Sequence, residues 1–156
     1  MIFRQDTASA ADIELHLQEC SADFSPPLAS RVDLSTYAAK LRAAATTCEA
    51  WHDQYLVGLI AYYRNDVTGV AFITSVSTAA RFRRSGLART LITQALLDVD
   101  EAGYSRTELE VASDNDAALS LYRSVGFTEV RATGCAAQMA RLTRARRSAA
   151  RNEGRE

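Results

Sequence analysis

The feature that most constrains this chain is a change of hydrophobic period near its middle. Residues 46 to 76 carry β-branched and aromatic residues in three runs, ThrThrCysGluAlaTrp, TyrLeuValGlyLeuIleAlaTyrTyr and ValThrGlyValAlaPheIleThrSerVal, a composition that fits pleated, half-buried strands. The polar connectors HisAspGln and ArgAsnAsp suit hairpins, so the three strands are antiparallel neighbours. From residue 86 to 101 the spacing turns helical. Leu87, Leu91, Ala95, Leu96 and Val99 form one apolar stripe, and Gly103 follows as a stop. ThrGluLeuGluValAla, residues 107 to 112, is again strand-like. A strand, a crossover helix and a further strand make a unit whose two strands lie parallel, so the chain must build a mixed sheet.

The flanks extend this pattern. Met1 to Arg4 reads as an opening strand, and Ala8 to Cys20, with Ile13, Leu15 and Leu17, reads as a helix that Pro26 and Pro27 end. Asp33 caps a second helix running to Ala45, with Leu34, Tyr37, Ala38 and Leu41 on one face. Asn115 caps another whose Ala118, Leu119, Leu121, Tyr122 and Val125 face inward; Gly126 ends it. Strands beginning at Phe127 and around Cys135 to Leu142 complete the set. The expected fold is therefore α/β (α+β), a mixed, mostly antiparallel central sheet of about seven strands with helices on both faces. No repeat, linker or proline-rich stretch divides the 156 residues, a length that buries about two thirds of its unfolded surface. One domain over residues 1 to 142 is expected, followed by a basic tail, 143 to 156, that is frayed or disordered.

Composition removes several function classes. The apolar run Tyr55 to Tyr63 is about half the length that a membrane-spanning helix needs, and no basic segment leads into an apolar one at the start. A cytoplasmic protein with no membrane partner is expected. Cys20, Cys48 and Cys135 are odd in number and widely spaced, and His16 and His52 are far apart, so neither a disulfide framework nor a metal site is expected. Residues 141 to 156 hold six arginines against two glutamates in a chain of net charge −1. That tail could touch phosphates, but it has no aromatic residue to stack on bases, and no nucleic-acid partner is expected.

The chemistry concentrates in residues 74 to 92, which join a strand to a helix. Such a junction offers unpaired main-chain N–H groups at the positive end of the helix dipole, and glycine lets a bulky anion approach closely. Arg81, Arg83 and Arg84 add cationic side chains, each able to give charge-assisted hydrogen bonds of about 1.5 to 3 kcal/mol. The segment therefore reads as a phosphate cradle. It has neither the P-loop spacing nor the three glycines of the dinucleotide fingerprint.

ArgArgSerGlyLeuAla, residues 83 to 88, resembles the R/Q-x-x-G-x-G/A signature of the GNAT superfamily of acyl-CoA-dependent N-acetyltransferases. AsnAspAlaAlaLeuSerLeuTyrArgSerValGlyPhe, residues 115 to 127, is similar to the superfamily's second signature, an Asn followed by an apolar helix, a Tyr seven residues on, and Gly-Phe. The spacing between the two signatures is what one crossover helix and one strand require, and together the matches cover about residues 55 to 130.

The resemblance implies acetyl-CoA as co-substrate, with no metal, and roles for named residues. Arg83, Arg84, Ser85, Gly86, Leu87 and Ala88 would hold the CoA pyrophosphate. The strands before and after the crossover helix would splay, with the pantetheine arm in the gap as an added strand. The Val76 N–H would polarise the thioester carbonyl, and Thr78 would hold a pantetheine amide. Asn115 would bond the pantetheine arm as well as cap its helix. Tyr122 would protonate the departing thiolate. Glu110 resembles the base of ribosomal-protein alanine N-acetyltransferases; Glu108 projects to the same face, and Glu49, near Trp51, is a second candidate base.

This chain departs from the pattern at three places. Ala80 stands where a Pro is usual, Arg84 where a Gly often follows the first arginine, and GluValArgAlaThrGlyCysAlaAla after Phe127 replaces the NYY-type stretch of relatives that acetylate ribosomal proteins. The expected reaction is acetyl transfer from acetyl-CoA to the primary amine of a small molecule, such as an amino sugar or an amino-acid derivative, by direct attack. Acetylation of protein or peptide N-termini is the alternative within the class, and a non-catalytic CoA-binding module the alternative outside it. A monomer or homodimer is expected, with the acceptor groove built mainly by residues 20 to 50.

Overall fold

In the computed structural model, residues 1–24 and 27–144 are described. Strand β1 (Ile2–Gln5) leads into helix α1 (Ala10–Cys20), 3-10 turns at Ser21–Asp23 and Leu28–Ser30, and helix α2 (Leu34–Ala44). Strands β2 (Thr46–His52), β3 (Tyr55–Asn65) and β4 (Val70–Thr78) follow. A 3-10 turn (Ala80–Phe82), helix α3 (Leu87–Ala102), strand β5 (Arg106–Ala112), helix α4 (Asp116–Ser124) and strands β6 (Thr128–Thr133) and β7 (Ala136–Leu142) complete the chain. The seven strands form one sheet in the order β1-β2-β3-β4-β5-β7-β6, in which β4 and β5 alone are parallel. The sheet is thus mixed and mostly antiparallel, as the change of period implies. The insertion of β7 between β5 and β6 is a feature that the linear pattern does not carry.

Helices cover both faces. On one side α3 and α4 bury Leu87, Leu91, Ile92, Ala95, Leu96, Val99, Leu119 and Tyr122 against Ile60, Tyr62, Ile73 and Leu109. Gly58 makes the seating of α3 possible, because a Cβ there would lie 2.8 Å from Leu91 Cδ1 and 3.3 Å from Ala50 Cβ. On the other side α1 and α2 bury Ile13, Leu17, Ala38 and Leu41 against Leu56, Leu59 and Ala61. This second cluster takes no residue from β5, β6 or β7, so that end of the sheet keeps an open face.

The N-terminal helix differs from its expected register. Leu15 is 56% exposed while His16 is buried, because the inward stripe runs Ile13, His16, Leu17, Cys20 at helical offsets. Ser9 caps α1 in a capping box with Asp12, Ser9 Oγ accepting from the Asp12 N–H at 3.1 Å. The helix ends at Cys20 in a 3-10 turn, ahead of Pro26, so the prolines do not terminate it. Asp33 caps α2 as expected, its Oδ1 accepting from the Thr36 N–H at 3.0 Å.

Arg141, counted with the basic tail in the sequence, belongs to β7. It is buried and pairs with Asp100 of α3 through two bonds of 3.0 and 3.1 Å. The Thr143 N–H still donates to the Ser105 carbonyl at 3.0 Å. The rest of the expected tail, residues 145 to 156, lies outside the described residues. Among the described residues no helix is long and apolar enough to cross a membrane.

Candidate active site

The site begins where β4 leaves β5. Their parallel register runs from Val70 opposite Arg106 to Ile73 opposite Leu109 and stops there, whereas β5 stays paired with β7 as far as Ala112. A bulge marks the point of departure. Tyr62 faces Ile73 while Ala61 faces Ser75, so Thr74 is an extra residue in β4, and an insertion of this kind bends the strand and increases its twist. From Ser75 to Thr78 the strand is held by β3 on one side only, and a wedge opens between β4 and β5.

The edge facing this wedge can be read from the ladder. The Ala79 N–H donates to the Val57 carbonyl at 2.8 Å, and the register from Gly58–Thr78 to Ala61–Ser75 is regular. Antiparallel pairs alternate in which edge their polar groups address. Ser75 and Ser77 therefore bond β3, while the Val76 and Thr78 main-chain groups point into the wedge. Their side chains pack toward α3, and those of Ser75 and Ser77 turn toward α1.

Beyond β4 the chain forms a cradle. The Arg83 N–H donates to Ala80 O and the Thr90 N–H to Gly86 O; among the described residues the intervening amides, 84 to 89, have no acceptor. Ser85 Oγ braces the turn through a 2.5 Å bond to Phe82 O. Gly86 caps α3 at φ 80° without any side-chain cap, and nothing lies within 4 Å of where its Cβ would stand. Unpaired donors, a helix N-terminus and open space at one glycine fit a diphosphate. Arg84 is also left-handed, at φ 60°, which explains why glycine suits this position and makes arginine there a local strain. Arg83 is ion-paired with Asp23, in the turn after α1. Arg81 lies over the Phe82 ring at 5.1 Å. Arg84 makes no ion pair among the described residues.

The remaining expected residues lie on β5 and α4, the elements that follow the crossover helix. Asn115 caps α4, its Oδ1 accepting from the Ala118 N–H at 3.1 Å, and its side chain is exposed. Tyr122, two turns along, is 7% exposed and packs edge-on to Phe127 with ring centroids 5.9 Å apart. Burial alone pushes its phenol up to about 12, so the group stays protonated at neutral pH and remains a donor. Glu110 is exposed on β5 opposite Gln138. Its neighbours Leu109 and Val111 enter the core with Tyr122, so Glu110 and Tyr122 belong to opposite faces of the sheet. Glu108 shares the Glu110 face but is tied to Arg106 Nε at 2.7 Å.

Glu49, the second candidate base, is committed to the fold. It is fully buried, and its carboxylate accepts from the Thr7 N–H (2.9 Å), the Ala8 N–H (2.9 Å), Thr47 Oγ1 (2.8 Å), Trp51 Nε1 (3.0 Å) and Thr7 Oγ1 (2.5 Å). Burial acts to raise its pKa, but these bonds together outweigh it and hold the carboxyl below the usual range. With its lone pairs taken, it has no capacity left for a substrate proton.

Three features of the site escape the sequence reading: the bulge at Thr74, the Asp23 partner of Arg83, and buried His16. Only the last leaves a readable trace, since position 16 falls on the Ile13–Leu17–Cys20 stripe.

A wedge between parallel strands that leads to unpaired amides at a helix N-terminus has the shape and the donors to hold a long, phosphorylated ligand by main-chain groups. The Acetyltransferase (GNAT) family model matches residues 12–127, and the chain belongs to that family of acyl-CoA-dependent N-acetyltransferases. Among solved structures it is similar to the Escherichia coli ribosomal-protein-S18-alanine N-acetyltransferase, at 19% identity over 91% of this chain and 94% of that one, with a TM-score of 0.74. The PaiA N-acetyltransferase from Thermoplasma acidophilum in complex with coenzyme A matches at 15% identity over 91% and 99%, with a TM-score of 0.70. Ard1 from Thermoplasma volcanium matches at 23% identity over 92% and 99%, with a TM-score of 0.72. Among curated protein sequences no match reaches significance.

Proposed function

We propose that the protein transfers the acetyl group of acetyl-CoA to the primary amine of a small molecule by direct attack. The observation that carries this reading is the parting of β4 from β5 beyond Ile73 and Leu109, above a cradle whose amides at 84 to 89 lack acceptors among the described residues. The amides of Arg84 to Ala88 bind the pyrophosphate with help from Arg84, while Asn115 and the Thr78 main chain align the pantetheine arm as a strand. The Val76 N–H donates to the thioester oxygen and stabilises the negative charge that gathers there as nitrogen attacks.

Glu110 supplies the acceptor side. Its exposed carboxylate attracts an ammonium ion and takes a proton from it, freeing the lone pair that attacks carbon. From the opposite face the Tyr122 hydroxyl donates to the sulfur as the C–S bond breaks, so the charge is countered where it is released. A small acceptor is favoured by the β6–β7 connection: Thr133 ends one strand and Ala136 begins the next. Two residues cannot raise a second wall beside the open sheet face, so this connection builds no enclosed groove for an extended peptide.

Likeness to the ribosomal-protein-S18-alanine N-acetyltransferase fold keeps peptide N-termini as the competing acceptor. A panel of free amines and amino-terminal peptides, read by CoA release with a thiol reagent, separates the two. The proposal expects turnover with free amines and little with peptides; the reverse order overturns it.

A further inference from the structure

We propose that His16 is a positioning residue for acetyl transfer, acting through Ser77 to fix the free edge of β4 that addresses the thioester. The proposal rests on the wedge reading above and concerns a residue outside the cofactor's reach.

His16 is 1% exposed, yet it carries two ring nitrogens into an otherwise apolar stripe. Its Nδ1 lies 3.0 Å from the Leu56 carbonyl and its Nε2 lies 2.8 Å from Ser77 Oγ. A carbonyl only accepts, so Nδ1 bears the hydrogen and Nε2 accepts from the Ser77 hydroxyl. Burial lowers the pKa of the ring and keeps it neutral, and in this tautomer both nitrogens are satisfied. Its other polar neighbour is Cys20, with Sγ 3.8 Å from Nε2.

The location gives this arrangement its consequence. Ser77 lies between Val76 and Thr78, the two residues whose main-chain groups face the wedge, in the stretch of β4 that has lost β5. A strand end laddered on one side is less restrained than an interior strand. Two hydrogen bonds from the α1–α2 layer reach this stretch among the described residues. One runs from Tyr37 OH to the Thr74 carbonyl at a long 3.5 Å, and the other is the His16–Ser77 bond. Rotation at Ser77 tilts the peptide planes on both sides of it, and hydrogen-bond donors to a developing oxyanion must stand within about 2.7 to 3.1 Å of its position. A core filler at position 16 would need no polar atoms; a Leu would match Ile13 and Leu17.

The test uses acetyl-CoA labelled with carbon-13 at the acetyl carbonyl, bound to the intact protein, so that no acceptor is needed. Polarisation by the Val76 N–H moves the bound carbonyl resonance downfield. Ser77→Ala, which removes only a hydroxyl, and His16→Gln are each expected to lose roughly half or more of that displacement. In both variants the affinity for acetyl-CoA, set by the distant cradle, should stay within about twofold of the parent. The double variant should be no worse than either single one. If both single variants keep the full displacement, His16 and Ser77 serve the fold alone and the proposal is overturned. If the parent protein binds acetyl-CoA with no displacement, the Val76 reading fails first and takes this proposal with it.

Discussion

Ile73 and Leu109 face each other at the last step of the parallel ladder between β4 and β5. Two residues further on, Ser75 is paired to Ala61 alone. The Thr74 bulge between these pairs turns an ordinary strand–helix–strand unit into a cleft with a polar main-chain wall, and the predictions below address the groups around it.

Tyr122→Phe removes a hydroxyl that makes no hydrogen bond among the described residues, so stability should change little. Acetyl transfer should fall by about 100-fold or more if the phenol assists thiolate departure, with acetyl-CoA affinity unchanged. Steady-state rates alongside calorimetric binding check this. A phenol pushed up to about 12 also predicts no loss of activity from Tyr122 ionisation below about pH 10.

Glu110→Gln keeps size and hydrogen-bonding capacity but removes the base. The rate with a primary amine should drop by about 100-fold, while acetyl-CoA binding persists. Glu110→Gln turnover at the parental rate would remove Glu110 from the mechanism.

Substitutions at the two left-handed residues of the cradle should separate backbone from charge. Gly86→Ala meets no atom but must hold φ 80°, which costs about 1 kcal/mol and lowers Tm by roughly 2 to 4 °C. Arg84→Gly relieves its backbone at φ 60° and should leave Tm unchanged or up to about 2 °C higher. The same change removes a cation and should weaken CoA binding by about tenfold. Melting curves and binding titrations on both variants test the pair of signs.

Glu49→Gln should destabilise the fold by about 3 kcal/mol, because the amide keeps one accepting oxygen but sets an NH2 group, itself a donor, against the donors that surround the other. The folded pKa lies below the unfolded one, so the carboxylate's contribution is present above about pH 4.5 and is lost as pH falls through the folded value. His16 behaves in the same sense. Burial lowers its pKa, so stability is complete above about pH 6.5 and declines as pH falls toward the folded value. Denaturation midpoints measured from pH 7 to pH 4 should fall for the parent protein, and less steeply across the upper part of that range for His16→Gln.

The sequence disclosed the elements and the cradle because both depend on local signals. The helical stripe from Leu87 to Val99, the Asp33 and Asn115 caps, and the arginines beside Gly86 are all legible within a single turn or strand. What it concealed is non-local. The order β5-β7-β6 depends on Met139 meeting Leu109 across 30 residues, and the Thr74 bulge on the register of β3. Three of the five Glu49 donors come from Thr7 and Ala8, in the connection between β1 and α1, and the Arg83 partner is Asp23. Leu15 and His16 show the remaining weakness. Hydrophobicity alone placed the leucine inward, whereas the helix buries the histidine because β3 and β4 supply partners for both its nitrogens.

The most direct test of the central claim is an NMR titration of the amides in the strand–cradle segment with CoA. The account predicts that the amide resonances of residues 84 to 88 shift strongly on saturation, together with those of Val76 and Thr78, while those of Ser75 and Ser77 move less because they bond β3. If CoA leaves the cradle amides where they are, the claim that this turn grips a diphosphate and aims a thioester into the wedge is contradicted.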